Sequence, residues 1–158
     1  MSKLTHIDAD GNPKMVDISD KKITYREATA ESRIKVPKNV MDLLKNDEIH
    51  TKKGPVFQTS IIAGVMGAKK TADLIPFCHQ LPLNNCKIEI GTTSDEIVIT
   101  CSVNVEGKTG VEMEALTGAS IAALTVYDMC KALSHDIIIE QTRLMTKKGG
   151  RSDFKRNK

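Results

Sequence analysis

The sequence contains no tryptophan, and its 158 residues include only three phenylalanines and two tyrosines. Proteins that bind single-stranded nucleic acid usually stack the bases on aromatic side chains, so this class of protein is not indicated. No apolar run approaches the roughly 18 residues that span a membrane, and the N-terminal stretch lacks the apolar region of a secretory signal. We therefore expect a cytoplasmic protein that contacts neither membrane nor nucleic acid.

The four cysteines lack the paired spacing of a zinc site, because the sequence contains no CxxC motif. Cys78 and His79 are adjacent, but two ligands without a second pair form an incomplete shell. The remaining cysteines fall on apolar faces of predicted elements, where buried reduced thiols are expected. The sequence predicts no disulfide, no metal ion and no cofactor.

Charge is distributed unevenly along the chain, although the formal net charge is only +3. Residues 147–158 carry six basic and one acidic side chain, and the preceding 146 residues carry 17 basic and 19 acidic ones. A basic tail can contact nucleic acid or a membrane, or supply ligands to an anionic small molecule. On charge alone, a solvated terminus is the commoner case.

The order of predicted elements favours an α+β fold in one domain, residues 1–158. It contains the βαββαβ pattern of a ferredoxin-like sandwich plus one extra helix, with the helices covering one face of an antiparallel sheet. The other face is left for a partner, so we expect an oligomer. The pattern predicts an extended arm over 1–21, strands over 24–36, 86–90, 97–105 and 137–146, helices over 37–45, 56–74 and 109–133, and loops over 46–54 and 76–85.

The segment GKTG at 107–110 precedes the longest predicted helix. Ser102 stands where a Walker A motif needs its first glycine, so the phosphate-loop interpretation fails. Two interpretations remain open. The glycines and Lys108 can form an anion site at the helix N-terminus, or Thr109 and Glu112 can form a capping box without further function.

Asp128 and Lys131 lie three residues apart near the end of the same helix and can therefore touch. A surface ion pair is the ordinary explanation of such a pair. However, the sequence between Glu114 and Asp128 is uncharged, which predicts a buried helix and a shielded pair suited to proton transfer. Glu114 and Asp128 are ~21 Å apart along the axis, so a site that uses both is expected at a subunit interface.

His79 lies in the segment PFCHQLPL, which its prolines keep rigid. A structural histidine is the commoner case, although the rigid segment and the neighbouring thiol favour a functional one. Many lysines occupy the predicted loops, including Lys53 and Lys147. Many lysines with few arginines suit phosphate binding by point charge better than bidentate reading of bases.

These motifs together resemble the cyclic pyranopterin monophosphate synthases, the C proteins of molybdenum cofactor biosynthesis. The resemblance rests on LTHID, KMVDIS, AKKTADLIPFCHQLPL, GKTGVEMEALTGAS, ALTVYDMCKAL and KKGGRSDF, which cover nearly the whole chain. It implies a lyase that converts 3′,8-cyclo-7,8-dihydroguanosine 5′-triphosphate, made from GTP, to cyclic pyranopterin monophosphate and diphosphate. It also implies a homohexamer, a trimer of dimers with active sites between subunits.

The resemblance also implies roles for individual residues. The family's catalytic aspartate corresponds to Asp128, with Lys131 beside it. Gln80, Pro82 and Gly118 depart from the commonest family pattern, but they remove none of these groups. The substrate-contacting positions correspond to Phe77, Cys78, His79, Met113 and Glu114, and the supporting lysines to Lys53 and Lys147.

Two other functions remain open from the residues alone. A non-enzymatic phosphate-sensing oligomer would explain the lysines and the GKTG turn, but it gives Asp128 no role. A nucleic-acid-binding protein acting through the basic tail would show affinity that falls steeply with salt. The nearly neutral body of the chain makes it the weaker alternative.

Overall fold

A computed structural model describes residues 7–8 and 10–157 of the chain. This part of the chain contains eight strands and four helices. The elements are β1 (Thr24–Lys35), α1 (Lys38–Met41), β2 (Leu44–Lys45), β3 (Glu48–Thr51), β4 (Gly54–Pro55), α2 (Val56–Lys69), α3 (Thr71–Leu74), β5 (Asn85–Thr92), β6 (Glu96–Gly107), α4 (Glu112–Cys130), β7 (Ile138–Lys148) and β8 (Phe154–Lys155).

The main sheet has the order β5-β6-β1-β7-β8, and all its neighbouring strands are antiparallel. The long strand β1 pairs with β6 on one side and with β7 on the other. The β1–β7 register shifts twice, between Thr29 and Ala30 and between Arg33 and Ile34. A second, small sheet contains β2, β3 and β4. The prediction of an α+β fold with an antiparallel sheet is confirmed.

The sheet buries one face beneath the helices because β1 and β6 alternate small or apolar residues with polar ones. In β1 the side chains of Ala28, Ala30 and Ile34 are buried, and Ser32 is buried with them. Helix α4 packs on β1, β6 and β7, and α2 packs beside it on β5. The opposite face carries charged side chains, including Glu31, which pairs with Arg33 and Arg143.

Helices α2 and α4 approach each other closely because glycines lie at their contact. A Cβ at Gly64 would overlap the Cδ1 atom of Ile88 and would lie 2.9 Å from the carbonyl oxygen of Gly118. A Cβ at Gly118 would lie 2.7 Å from the Sγ of Cys101. The glycines lower intrinsic helix propensity, but they allow α2 and α4 to pack closely side by side on the sheet.

Several predicted boundaries were wrong. The helix predicted over 37–45 ends as α1 after one turn, and a β2–β3 hairpin follows. Asn46 and Asp47 form its turn with φ of 51° and 58°, which short polar residues tolerate in a two-residue hairpin turn. The predicted helix 56–74 is divided into α2 and α3 at Lys70, whose φ of −103° and ψ of 11° are not helical. The predicted helix 109–133 is shorter at both ends, because α4 spans Glu112–Cys130.

The described parts of the arm and of the basic tail contact the rest of the domain more closely than predicted. Part of the predicted arm lies outside the described residues, but Ile7 bridges Pro13, and Lys108 Nζ donates to the carbonyl oxygen of Ser19 at 2.6 Å. Within the basic tail, residues 148–157 are exposed, as expected of a solvated terminus, whereas Lys147 is partly buried. Its backbone, however, returns to the sheet as β8 beside β7.

No helix within residues 7–8 and 10–157 is long and apolar enough to cross a membrane.

Replacing Gly64 by alanine is expected to lower the free energy of unfolding by about 1–3 kcal/mol, because the new methyl group overpacks the α2–α4 contact. Urea denaturation would measure the change. Gly91→Ala is a matched control, because the space around a Cβ at this strand position is open, and its effect should stay within about 0.5 kcal/mol. Equal effects of the two substitutions would contradict the packing argument.

Candidate functional site

The N-terminal end of α4 borders a cavity of about 510 Å³, here called the α4 pocket. Four parts of the chain surround it: the arm that precedes β1, the irregular segment between α3 and β5, the turn and first residues of α4, and the segment after β7. Its lining consists of Val16, Ile18, Lys21, Phe77, Cys78, His79, Leu81, Thr109, Gly110, Glu112, Met113, Glu114 and Arg151.

The segment Phe77–His79 is irregular because Pro76 and Pro82 flank it and neither proline can continue a helix or a central strand. His79 Nε2–H donates to the carbonyl oxygen of Val16 at 2.8 Å. Because a carbonyl only accepts, this bond places a proton on Nε2, and in a neutral ring it leaves Nδ1 as an acceptor. The bond also fastens the arm across the pocket.

Glu114 is the buried carboxyl group of the pocket, with only 4% of the residue exposed. Burial raises the pKa of Glu114 to about 7, and the negative charge of Glu112 also raises it, although a hydrogen bond from its own backbone opposes the change. A carboxyl group with a pKa of about 7 can give and take a proton at neutral pH. The sequence analysis assigned Glu114 a contact with the substrate and no part in proton transfer.

Cys78 shares this environment. Burial and the charge of Glu114 raise the pKa of its thiol. The neutral thiol is therefore the favoured form, which suits a packing or hydrogen-bonding contact rather than a thiolate nucleophile.

Glu112 and Lys147 connect α4 to β7 at the edge of the pocket. The Nζ of Lys147 lies 3.2 Å from Oε1 of Glu112. Of the two interpretations left open for the GKTG turn, the capping box of Thr109 and Glu112 was wrong, because α4 begins after Val111 and has no side-chain cap. Glu112 instead serves as the carboxylate partner of Lys147.

A basic groove of about 340 Å³ continues from the pocket and shares Lys21, Thr109 and Arg151 with it. Its walls are formed by β1, the GKTG turn and the segment after β7. Gly149, with φ of 81°, lets that segment approach β1, where a Cβ would overlap the carbonyl oxygen of Tyr25. The lining residues of the basic groove are Lys21, Lys22, Thr24, Arg26, Lys108, Thr109, Gly149, Gly150 and Arg151.

The basic groove brings together five cationic side chains and no acidic one. Arg26 Nε donates to the carbonyl oxygen of Gly107 at 3.0 Å, which directs the guanidinium along the GKTG turn. Within the part of the chain that the structure describes, none of the five cations has a carboxylate within 4.0 Å. Such a groove is suited to an anion with several charges.

At the other end of α4, Asp128 lies between two ammonium groups, and these residues are here called the Asp128 cluster. Lys131 Nζ lies 2.8 Å from Oδ1 of Asp128. Lys53 Nζ donates to Oδ2 at 2.8 Å and to the carbonyl oxygen of Asp128 at 2.9 Å. Hydrogen bonds from Lys131 and then from Lys53 lower the pKa of Asp128 to about 2, so its carboxylate is ionised at neutral pH.

The expectation that Asp128 and Lys131 form a buried, shielded pair was wrong. The Asp128 side chain is 54% exposed and that of Lys131 is 48% exposed. The uncharged stretch of α4 does bury Ala115, Ala119 and Ala122, as predicted, but Asp128 lies on the outer side of the helix. The lowered pKa of Asp128 comes from its two cationic partners and not from shielding.

The structure divides the predicted site residues into two groups. Phe77, Cys78, His79, Met113 and Glu114 line the α4 pocket, and Lys147 lies at its edge. Lys53, Asp128 and Lys131 form the Asp128 cluster. Fourteen residues of helix separate Glu114 from Asp128, which corresponds to ~21 Å. One chain therefore does not unite the two groups.

Sequence reasoning missed the contribution of Arg26, which occupies an ordinary strand position without a motif. It also missed the residues of the arm that line the pocket. Within residues 7–8 and 10–157, no group of three or more histidine, cysteine, aspartate or glutamate side chains could hold a metal ion.

The raised pKa of Glu114 predicts a specific pH dependence of stability. The unfolded carboxyl ionises near 4.5 and the folded one near 7, so the folded state binds the proton more tightly. Stability should therefore fall as the pH rises from about 4.5 to about 7. Urea unfolding at several pH values should show a shallower decline for Glu114→Gln, and an unchanged one for Glu89→Gln, whose side chain is 60% exposed. An identical decline in Glu114→Gln would contradict this account.

Comparison with known proteins finds relatives that are named for molybdenum cofactor biosynthesis or for one of its enzymes. A cyclic pyranopterin monophosphate synthase of Xanthomonas oryzae is 52% identical over 154 residues, which cover 97% of this chain and 93% of the relative. A molybdenum cofactor biosynthesis bifunctional protein of Synechocystis is 53% identical over 154 residues, covering 94% of this chain and 44% of the relative. The chain thus spans less than half of that bifunctional protein.

Molybdenum cofactor biosynthesis protein 1 of Dictyostelium discoideum is 52% identical over 169 aligned residues, which cover 96% of this chain and 27% of the relative. The MoaC family model matches residues 15–150. This range includes the Asp128 cluster and all the residues that line the α4 pocket except Arg151. Because the match spans most of the chain and the relatives share about half of its residues, the protein belongs to the MoaC family.

Proposed function

We propose that the protein is a cyclic pyranopterin monophosphate synthase of molybdenum cofactor biosynthesis. It converts 3′,8-cyclo-7,8-dihydroguanosine 5′-triphosphate to cyclic pyranopterin monophosphate and diphosphate, as a phosphorus–oxygen lyase. The observation that carries the proposal is the 52% identity to a relative of that name, because the alignment covers 97% of this chain and 93% of the relative.

The α4 pocket has the size and chemistry to hold the purine-derived part of this substrate. Its volume of about 510 Å³ lies within the usual range for small-molecule sites, and its mixture of apolar side chains with a few polar groups is typical of them. Phe77 and Met113 supply apolar contact, and His79 supplies a ring nitrogen. Glu114, with a pKa of about 7, can move a proton during the rearrangement.

The basic groove supports binding of the triphosphate beside the pocket. It opens into the pocket at Lys21 and Arg151, so one ligand can occupy both. Negative charge develops as the cyclic phosphate closes and diphosphate leaves, and preplaced cations stabilise such charge. Lys147, at the junction with Glu112, contributes a further ammonium group.

The Asp128 cluster supplies the remaining catalytic groups. The ionised carboxylate of Asp128 holds the ammonium groups of Lys53 and Lys131 at 2.8 Å. In this arrangement Lys131 can act as a proton donor, and the ionised carboxylate of Asp128 holds the lysine in place for the transfer. Lys53 can stabilise developing phosphate charge.

An active site shared between subunits reconciles the two groups of residues. The ~21 Å between them along α4 is too far for one small substrate, whereas a second subunit can bring its Asp128 cluster to the pocket. Exposed apolar side chains on the helical layer support an oligomer: Ile62, Met66 and Leu124 are each more than half exposed. We propose a homohexamer, a trimer of dimers.

The strand order supports the ferredoxin-like assignment. Without the short edge strand β8, the sheet reads β5-β6-β1-β7. The hairpin β5–β6 and the helices α2 and α4 then occupy the positions of the split βαββαβ arrangement. We propose this fold in one domain, residues 1–158, and a cytoplasmic location.

Asp128→Asn should abolish release of diphosphate while the oligomer stays intact, because the amide carries no charge for Lys53 and Lys131. The assay mixes purified protein with the cyclised GTP derivative, measures diphosphate and identifies the product by mass. Asp136→Asn is a matched control in the exposed segment after α4 and should retain activity. A fully active Asp128→Asn protein would contradict the assignment of Asp128.

The same assay tests the second candidate, a phosphate-binding oligomer without catalytic activity. The basic groove is the observation that favours it. Binding of the substrate by the wild-type protein without release of diphosphate would support this candidate over the synthase.

Mixing two inactive variants tests the shared site. If Glu114→Gln is inactive like Asp128→Asn, exchange of their subunits should restore some activity, since a hybrid can pair an intact pocket with an intact Asp128 cluster. Random exchange restores at most about one site in four in a symmetric oligomer. The control is the same mixture without exchange. No recovery after verified exchange would contradict a site shared between subunits.

A further inference from the structure

Glu48 is a buried carboxylate outside both groups of predicted site residues. It begins β3, and only 9% of the residue is exposed. Its Oε1 accepts hydrogen bonds from the backbone N–H groups of Ile49 and Phe57, both at 2.8 Å, and its Oε2 accepts one from Gln58 at 3.1 Å. Because Phe57 and Gln58 belong to the first turn of α2, one side chain joins the start of β3 to the start of that helix.

Helix α2 needs this carboxylate because its own N-cap cannot supply an acceptor. The N-cap residue is Pro55, and the first turn contains no acidic side chain. The first N–H groups of a helix lack partners within the helix, and negative charge near them is stabilising. Burial opposes ionisation of Glu48, but the three backbone hydrogen bonds together outweigh it and lower the pKa of the carboxyl.

The segment between the two anchored ends carries Lys53. Strands β3 and β4 form a hairpin in which His50 pairs with Pro55 and Thr51 with Gly54. Lys53 lies in its turn, where its backbone N–H donates to Thr51 Oγ1 at 3.2 Å. From this turn its Nζ reaches both the carbonyl oxygen and the carboxylate of Asp128.

We propose that Glu48 is a positioning residue for Lys53. By fastening both ends of the β3–β4 hairpin at the first turn of α2, it holds the Lys53 ammonium on Asp128 at the far end of α4. The effect on turnover rests on the proposed function, whereas the effect on the Lys53–Asp128 contact does not. Glu48 itself does not touch the pocket or the Asp128 cluster.

A purely structural role would be to cap α2, and the chain allows the two roles to be separated. An aspartate at position 55 would be an N-cap whose side chain can accept from the second or third N–H of the helix, which belong to Phe57 and Gln58. Pro55→Asp combined with Glu48→Gln therefore restores a charged cap to α2, whereas the substitution at position 48 removes the negative charge and one of the two acceptor oxygens that join β3 to the helix.

The experiment compares the wild type with Glu48→Gln, Lys53→Met and the double variant Glu48→Gln/Pro55→Asp. The readouts are urea unfolding, kcat and KM for diphosphate release, and the titration of the Asp128 carboxyl by carbon-13 NMR. The NMR signal of the Asp128 carboxyl is identified as the one that is missing from the Asp128→Asn spectrum. If Glu48→Gln alone is too unstable to study, the double variant provides the folded background.

We expect Glu48→Gln to raise the pKa of Asp128 from about 2 in the same direction as Lys53→Met does. Its kcat should fall by up to about 100-fold with a smaller change in KM, because a misplaced catalytic group affects the chemical step most. The double variant should regain the stability of the wild type but neither its kcat nor its Asp128 titration.

An unchanged Asp128 titration in Glu48→Gln, beside a shifted one in Lys53→Met, would overturn the proposal. Recovery of both kcat and the Asp128 titration in the double variant would also overturn it and reduce Glu48 to a helix cap. A wild-type protein that releases no diphosphate would contradict the proposed function instead, and the titration would still decide the role of Glu48.

Discussion

The close contact between α2 and α4 is the constraint on which the rest of the molecule depends. Gly64 and Gly118 allow the two helix backbones to approach closely, because a Cβ at Gly64 would lie 2.9 Å from the carbonyl oxygen of Gly118 and a Cβ at Gly118 would lie 3.2 Å from that of Gly64. This approach places α4 against β1, β6 and β7, where its alanines complete the core. Because α4 is fixed along its length, its two ends present functional groups in fixed places.

The two ends show how local surroundings set the chemistry of a carboxyl group. Glu114 is buried beside another carboxylate, so its pKa rises to about 7. Asp128 is exposed between two ammonium groups, so its pKa falls to about 2. The same helix therefore carries one carboxyl that exchanges protons near neutral pH and another that stays charged. This division of roles suits a reaction that combines proton transfers with the departure of a highly charged group.

Long-range pairing assembles the cationic part of the site from distant pieces of chain. Arg26 comes from the central strand, Lys108 from the turn before α4 and Arg151 from the segment after β7. Antiparallel pairing of β1 with β6 and β7 brings these pieces to one end of the sheet. The small β3–β4 hairpin performs a similar task for Lys53, and the buried Glu48 fastens it to a helix rather than to the sheet.

Sequence alone determined the alternating strands, the long helix with its uncharged central stretch and the contact between Asp128 and Lys131, because each depends on a period or spacing within a few residues. Motifs also identified the pocket residues Phe77–His79. Tertiary structure decided what periodicity cannot show. Asp128 is exposed because the packing of α4 on the sheet leaves the side of the helix that carries Asp128 facing outward. Arg26 joins the basic groove because strand pairing brings β1 beside the GKTG turn. Glu48 could not be predicted from its local polar sequence because its partners belong to a helix that begins eight residues later.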